Sequence, residues 1–348
     1  MSTPVFFKKI SLSNPYSLKE KNLLIRLYEM YPNLSGNFFF RIKLLRLLPY
    51  AISLIANIYG LIKLSKGKYT LLNASFDNSI SRNFRIRDTN SQFASIYFKA
   101  YSGCYEADVT GAIELFLKKD SVFVDIGSNW GHHSFNAVLN KESKVILFEP
   151  NPEVFNDINR IASDLNITSA IQAHNIALSD KEGRLSLEQH YFESGVASIS
   201  ASFSNSLLIT NKYLKALKWL FKLPSISYTT DVKMLDSFLL PRVDLMKIDA
   251  EGVELEILRG AYITLQRLRP IVIFEFHSGD LAQLADYNDF FDSIQYTLYT
   301  LECEEIANMK GSFMLRIIPA KSLIRNHQYN LLAAPVGIDF ESYSHKSK

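Results

Sequence analysis

The sequence predicts an α/β protein: a seven-stranded, mostly parallel, doubly wound sheet of Rossmann-like layering behind a basic, apolar N-terminal extension. Three observations carry that expectation. Seven short apolar runs recur after residue 120: SVFVDIG (121–127), KVILFEP (144–150), ITSAIQAHNIAL (167–178), DLMKIDA (244–250), PIVIFEF (270–276), YTLYTLE (296–302) and YNLLAAP (329–335). They are continuous rather than alternating, which marks strands buried on both faces, and such strands belong to parallel sheets. Helical stretches separate most of them, as crossover connections require. With 348 residues, 47% of them hydrophobic, the chain can bury such a core and still carry additions.

The extension, residues 1–80, comes first. Within residues 1–70 the net charge is +9, with Glu20 and Glu29 the only acids, whereas the rest of the chain is −6. A charge split of this kind points to an anionic partner for the basic part. The uncharged run 47–62, LLPYAISLIANIYGLI, lies between Arg41, Lys43, Arg46 and Lys63, Lys66, Lys68. A bilayer span needs about 20 apolar residues. This run has 16 and contains Pro49, Ser53, Asn57 and Gly60. Three placements stay open: a short span, a helix lying among anionic headgroups, or a helix packed on the rest of the protein. The start, MSTPVFFKKISLSN, lacks the pattern of a signal peptide, and Cys104 and Cys303 cannot build a disulfide framework. A cytoplasmic protein is expected, with peripheral contact at the inner face of a membrane through residues 1–70.

Residues 81–121 read as a lead-in. SIYFKAY alternates like a strand. DVTGAIELFLKKD reads as a helix, with Asp108 near its start and Lys118 and Lys119 near its end, as the helix dipole favours.

The main domain spans 122–339, followed by a tail, 340–348. Its first strand runs into Gly127-Ser128-Asn129-Trp130-Gly131. The glycines allow a tight turn, and the helix that opens near Gly131 aims free N–H groups at whatever lies above. The spacing is GxxxG rather than the dinucleotide GxGxxG, so the loop alone does not select among nucleotides. The second strand ends in Phe-Glu-Pro, with Glu149 lying 22 positions after Gly127. A carboxylate there is placed to accept both hydroxyls of a ribose. The loop after the third strand brings Ala177, Leu178 and Asp180 to where an adenine would sit. Between 184 and 235 the strand–helix rhythm is lost, and this stretch reads as an insertion over the carboxyl ends of the strands. The fourth strand delivers Asp249, followed by Glu251 and Glu254, which either complement a helix N-terminus or converge on a site. The fifth adds Glu275 and His277 on one face, with Phe274 and Phe276 on the other.

VDIGSNWGHHS, LFEPNP, ALSDKEG, LDSF (235–238), LMKIDAEGVELEILRGA and RPIVIFEFH together resemble the FkbM family of S-adenosylmethionine (SAM)-dependent methyltransferases, from about Val122 to Pro335. The resemblance implies a class I methyltransferase fold, strand order 3-2-1-4-5-7-6 with the seventh strand antiparallel, and O-methylation of a sugar, glycan or natural product. It implies that Asp125, Gly127, Ser128, Asn129 and Gly131 wrap the methionine part of SAM. Glu149 and Pro150 would then meet the ribose, and Ala177, Leu178 and Asp180 the adenine. Asp249 would face the methyl group. A hydroxyl acceptor must lose its proton, for which His277 is the first candidate base, with Glu251 and Glu275 as alternates. The same four side chains could hold a divalent ion such as Mg or Mn, although the expected site has none. Competing readings are an NAD(P)-dependent oxidoreductase and a non-catalytic, membrane-recruited binding protein. A nucleic-acid partner is disfavoured because the catalytic part is acidic. The sequence sets no oligomeric state.

Overall fold

In the computed structural model of the chain, the residues described are 6–11, 16–18, 69–75, 81–87, 106–190, 197–199, 225–277, 281–307, 309, 312–320 and 328–344. The uncharged run 47–62, the SIYFKAY segment and most of the insertion's interior lie outside them.

The strands in chain order are β1 (Phe6–Ser11), β2 (Tyr16–Leu18), β3 (Tyr69–Ser75), β4 (Ser81–Arg87), β5 (Val122–Ile126), β6 (Lys144–Phe148), β7 (Ile171–His174) and β8 (Ala177–Leu178). They continue with β9 (Gly183–His190), β10 (Ala197–Ile199), β11 (Ser225–Lys233), β12 (Leu245–Ile248), β13 (Ile271–His277), β14 (Tyr296–Glu305), β15 (Ser312–Pro319) and β16 (Gln328–Pro335). The helices are α1 (Ala107–Phe116), α2 (His132–Lys141), α3 (Pro152–Asp164), α4 (Glu254–Arg259), α5 (Tyr262–Leu268), α6 (Leu281–Ser293) and α7 (Glu341–Ser344).

The main sheet has the order β1-β15-β14-β16-β13-β12-β5-β6-β7. Seven of its strands correspond to the seven apolar runs. Counted in chain order they lie 3-2-1-4-5-7-6, with β16 antiparallel to both neighbours, as the resemblance implies. The order reverses between β5 and β12, so the crevice beyond their carboxyl ends is where a ligand belongs in such a sheet.

Helices cover both faces because both faces are apolar. On one side α1, α2 and α3 pack over Phe123, Leu147, Leu245, Ile273 and Leu332. On the other, α4, α5 and α6 pack over Val124, Phe148, Met246, Phe274 and Leu331. Alternation along β13 sends Phe274 and Phe276 into the second of these cores, as the sequence indicates.

Three features extend the expected plan. The hairpin strand β15 and then β1 widen the sheet beyond β14, and β1 pairs with β15 over its whole length, from Phe6↔Ile317 to Ser11↔Ser312. The start of the N-terminal extension is therefore part of the main sheet, with Phe6 and Ile10 buried in its core. Second, β2, β3 and β4 form a small antiparallel sheet of their own. Third, the run 167–178 does not make one strand. A 3-10 turn (Thr168–Ala170) precedes β7, and at the strand tip the Asn175 side-chain amide donates to the Glu149 carbonyl. The chain then leaves the main sheet, and β8 joins β11 of a second, four-stranded sheet, β10-β9-β11-β8. The described part of the insertion is this sheet.

Candidate active site

Backbone ladders that run past the strand ends build the site. Gly127 N–H and Ser128 N–H both donate to the Phe148 carbonyl, Glu149 N–H to His174, and Asp249 N–H to Ile126. Three adjacent strand tips therefore present Gly127, Glu149 and Asp249 side by side. The approach is close: a Cβ at Gly127 would lie 1.8 Å from the Asp249 carbonyl oxygen, and its φ is +71°. Only glycine satisfies both conditions.

Glu149 is buried, and its two carboxylate oxygens are already oriented. One accepts from Asn129 N–H and the other from Asn151 N–H, each at 2.9 Å. Asn151 is the N-cap of α3, where its side chain accepts from Glu153 and Val154 N–H ahead of Pro152 at the first helical position. Burial pushes the Glu149 carboxyl up to about 7, against the pull of those two N–H groups.

A cavity of about 430 Å³ opens over these tips. Gly127, Asn129, Glu149, Pro150, Ala177, Leu178, Asp180, Asp249 and Glu251 all line it, so the structure brings nine of the sequence-derived positions together. Part of the remaining wall comes from the stretch 184–235, read from the sequence as an insertion over the strand ends, although its strands were not foreseen. Leu185, Leu187 and Val232 come from β9 and β11, so the insertion's sheet closes one side with apolar surface.

The remaining candidates sit elsewhere. Asp125 is buried beneath the cavity, accepting a 2.6 Å hydrogen bond from the Ser134 hydroxyl, and its other oxygen has no partner among the described residues. Ser128 lies in the turn, and Gly131 caps α2 with its Cα against the Phe135 ring. Glu275 lies one strand away, on the α1–α2 side of the sheet. There burial, reinforced by Asp249, Glu251, Glu254 and Glu106, pushes its carboxyl up to about 9. His277 ends β13 opposite Gln328, and its side chain lies outside the described residues. Glu254 holds its own loop, accepting from Ala250 N–H at 2.9 Å and Gly252 N–H at 3.1 Å.

Two further groups stand out. Lys247, between Met246 and Ile248 on a fully buried strand, sets its ammonium 3.0 Å from Asp249. Burial opposes that charge, but Asp249, Asp125 and Glu106 outweigh it, and the lysine stays protonated well beyond its usual range. The sequence held the signal: a lysine on a strand apolar on both faces must find an anion, and Asp249 follows two residues on. The other group is the pair His133 Nε2–Glu106 Oε2 at 2.8 Å, at the start of α1, where Glu106 has a left-handed φ of 42°. Glu106 precedes the domain's first strand, so nothing in its local sequence tied it to the site.

Among the described residues no group of three or more His, Cys, Asp or Glu side chains is arranged to hold a metal ion, and no helix is long and apolar enough to cross a membrane.

The family described as the methyltransferase FkbM domain matches residues 125–306. Among curated proteins, "Methyltransferase 1" of Beauveria bassiana is 30% identical over 150 residues, which cover 40% of this chain and 58% of that protein. "Hexuronic acid methyltransferase AglP" of Haloferax volcanii is 27% identical over 174 residues, covering 50% of this chain and 63% of that protein. The chain thus spans about three fifths of the length of these relatives. Among solved structures, a methyltransferase FkbM from Methylobacillus flagellatus aligns over 66% of this chain and 58% of its own, at 14% identity and a TM-score of 0.36.

Proposed function

The chain belongs to the FkbM methyltransferase family, and on that premise we propose that it transfers the methyl group of SAM to a hydroxyl of a sugar or glycan. The observation that carries this reading is the cavity over three strand tips, where Gly127, Glu149 and Asp249 face one another. Its volume falls within the roughly 300–1,000 Å³ usual for small-molecule sites. The lining suits an adenosine: an apolar wall of Leu178, Leu187 and Val232, and a carboxylate on the tip of the second strand. Asp125, on the strand that runs into the glycine turn, has a buried carboxylate oxygen with no partner among the described residues, which supports it as an acceptor for the amino group of the methionine part.

When bound, SAM supplies an electrophilic methyl group. The chain's part is alignment and proton removal. Asp249 lines the cavity and is held by the Lys247 ammonium, so it is fixed in place at the methyl end. Of the candidate bases, Glu275 is disfavoured because burial among other acids raises its carboxyl to about 9, which leaves His277 as the first candidate and Glu251 as its alternate. The hexuronic acid named for the Haloferax volcanii relative supports a sugar acceptor here. Beyond the described residues, the cations that flank run 47–62 support peripheral contact with anionic lipid.

Calorimetry with S-adenosylhomocysteine, alongside NADH, tests the cofactor. The expected result is binding of the first alone. Glu149→Ala removes at least one charge-assisted hydrogen bond, about 1.5–3 kcal/mol, so affinity should fall roughly 10- to 100-fold or more. Unchanged affinity in that variant would remove Glu149 from the site.

A further inference from the structure

We infer that strand β4 positions the cofactor cavity, because its Phe84 braces the turn that carries one of the two backbone N–H groups holding the Glu149 carboxylate, and its arginines brace the helix that carries the other. The inference rests on the reading of the cavity as a cofactor site. It adds a part that lies ahead of residue 125, where the family match begins.

The first N–H belongs to Asn129, in the glycine turn. Asn129 has a left-handed φ of 48°, and its side chain accepts from the next residue's N–H, Trp130, at 2.8 Å. Asparagine adopts that conformation more readily than other non-glycine residues, so the firmness of the turn depends on what anchors its neighbours. What holds it is the Trp130 ring, fully buried and stacked on Phe84, with ring centroids 6.4 Å apart and planes 13° apart. Phe84 is itself fully buried. On its other flank Trp130 meets Phe135 of α2.

The second N–H belongs to Asn151, the N-cap of α3. That helix is clamped along its length by the neighbours of Phe84. Arg87 reaches the Asp157 carboxylate at 2.8 Å and Glu153 at 2.9 Å. Arg85 meets Asp164 with its side chain, at 2.6 Å, and its backbone N–H, at 3.0 Å. Arg82 reaches the Leu165 carbonyl at the far end of the helix. Asp157 has no exposed side chain, and Arg160 also pairs with it. A buried carboxylate of this kind fixes its partners, since removing one leaves an uncompensated charge. One strand thus spans both arms of the grip: its ring side sets the turn that carries Asn129, and its arginines set the helix that carries Asn151.

The test compares Phe84→Leu and Phe84→Tyr with the wild-type chain. Leucine keeps apolar bulk but loses the flat ring against Trp130, whereas tyrosine keeps the ring. Two readouts are taken on each: S-adenosylhomocysteine affinity by calorimetry, and amide hydrogen exchange resolved by mass spectrometry. For Phe84→Leu we expect affinity at least tenfold weaker and faster exchange in 127–131, with exchange at Asn151, which the arginines still hold, and in β12 unchanged. Phe84→Tyr keeps the ring, though it must take a hydroxyl into a fully buried position, and should lose less affinity and show less acceleration in 127–131 than Phe84→Leu. Wild-type affinity and wild-type exchange in Phe84→Leu would overturn the inference, as would equal acceleration throughout the domain. Should the wild-type chain fail to bind S-adenosylhomocysteine, the cofactor reading fails, and exchange at 127–131 still decides whether Phe84 braces the turn.

Discussion

Glu275 sits on the sheet face that elsewhere carries Ile271 and Ile273, and burial there among four other acids makes its ionised form costly. The sign of its effect on stability follows directly. Its carboxyl is raised in the folded state, from an ordinary 4.5 to about 9, so the unfolded chain releases the proton first. Its contribution is fully present below pH 4.5 and is lost as pH rises toward 9. Glu275→Gln, which is neutral in both states, should therefore melt close to wild type at pH 4.5 and increasingly above it through pH 6, 7 and 8. Scanning calorimetry across that range checks the trend, and parallel melting profiles would show that Glu275 titrates normally. The same environment explains why the sequence could nominate Glu275 as a base without revealing its protonation: residue type and strand parity are local, whereas its surroundings include acids at the start of α1, in the β12–α4 loop and at the start of α4.

At the scale of elements, the strands and their tips were legible and the connections between tips were not. Continuous runs such as KVILF and LMKI can only be buried strands, and their last residues fall at the carboxyl edge by construction. The LEILRGA stretch illustrates the other kind of information. Gly260 closes α4, and a Cβ there would lie 2.0 Å from the Ser179 carbonyl oxygen, so the glycine exists to let the helix end touch the loop beside Asp180. That contact joins segments some eighty residues apart and has no periodic signature. Gly260→Ala must push the 177–180 loop outward. Overpacking of this sort costs about 1–3 kcal/mol, and displacement of Leu178 and Asp180 should weaken S-adenosylhomocysteine binding about tenfold or more. Gly183 also lines the cavity, but a Cβ there meets nothing within 4 Å, and Gly183→Ala should leave stability and affinity near wild type. Melting curves and calorimetry on the two variants together separate close approach from mere proximity. The β9–β11 sheet escaped prediction for a related reason. Its strands alternate, as in Ser227-Tyr228-Thr229-Thr230, because one face is solvated while the other closes the cavity, and that pattern differs from the buried runs used to find the domain.

At the scale of the whole molecule, the charge split and the sheet edge bear on the same experiment. The excess of +9 in residues 1–70 falls on both the described β1 and the undescribed stretch around 47–62. Lys8 and Lys9 belong to β1, whose Phe6 and Ile10 are buried against the β15 edge. Burying two such side chains is worth about 1.5–3 kcal/mol each, so truncation at residue 70 would strip the edge of the main sheet as well as the basic run. Loss of lipid binding in such a truncation would not distinguish a membrane surface from a damaged fold. Replacing Arg41, Lys43, Arg46, Lys63, Lys66 and Lys68 with Gln leaves β1 intact and removes six cations, each worth about 1 kcal/mol at an anionic surface. Sedimentation with vesicles containing phosphatidylserine should then fall to the level seen with neutral vesicles, while S-adenosylhomocysteine affinity stays unchanged. Undiminished sedimentation would show that these six cations are not the lipid contact, and a wild-type chain that does not sediment would end the case for lipid. The charge would then require another anionic partner.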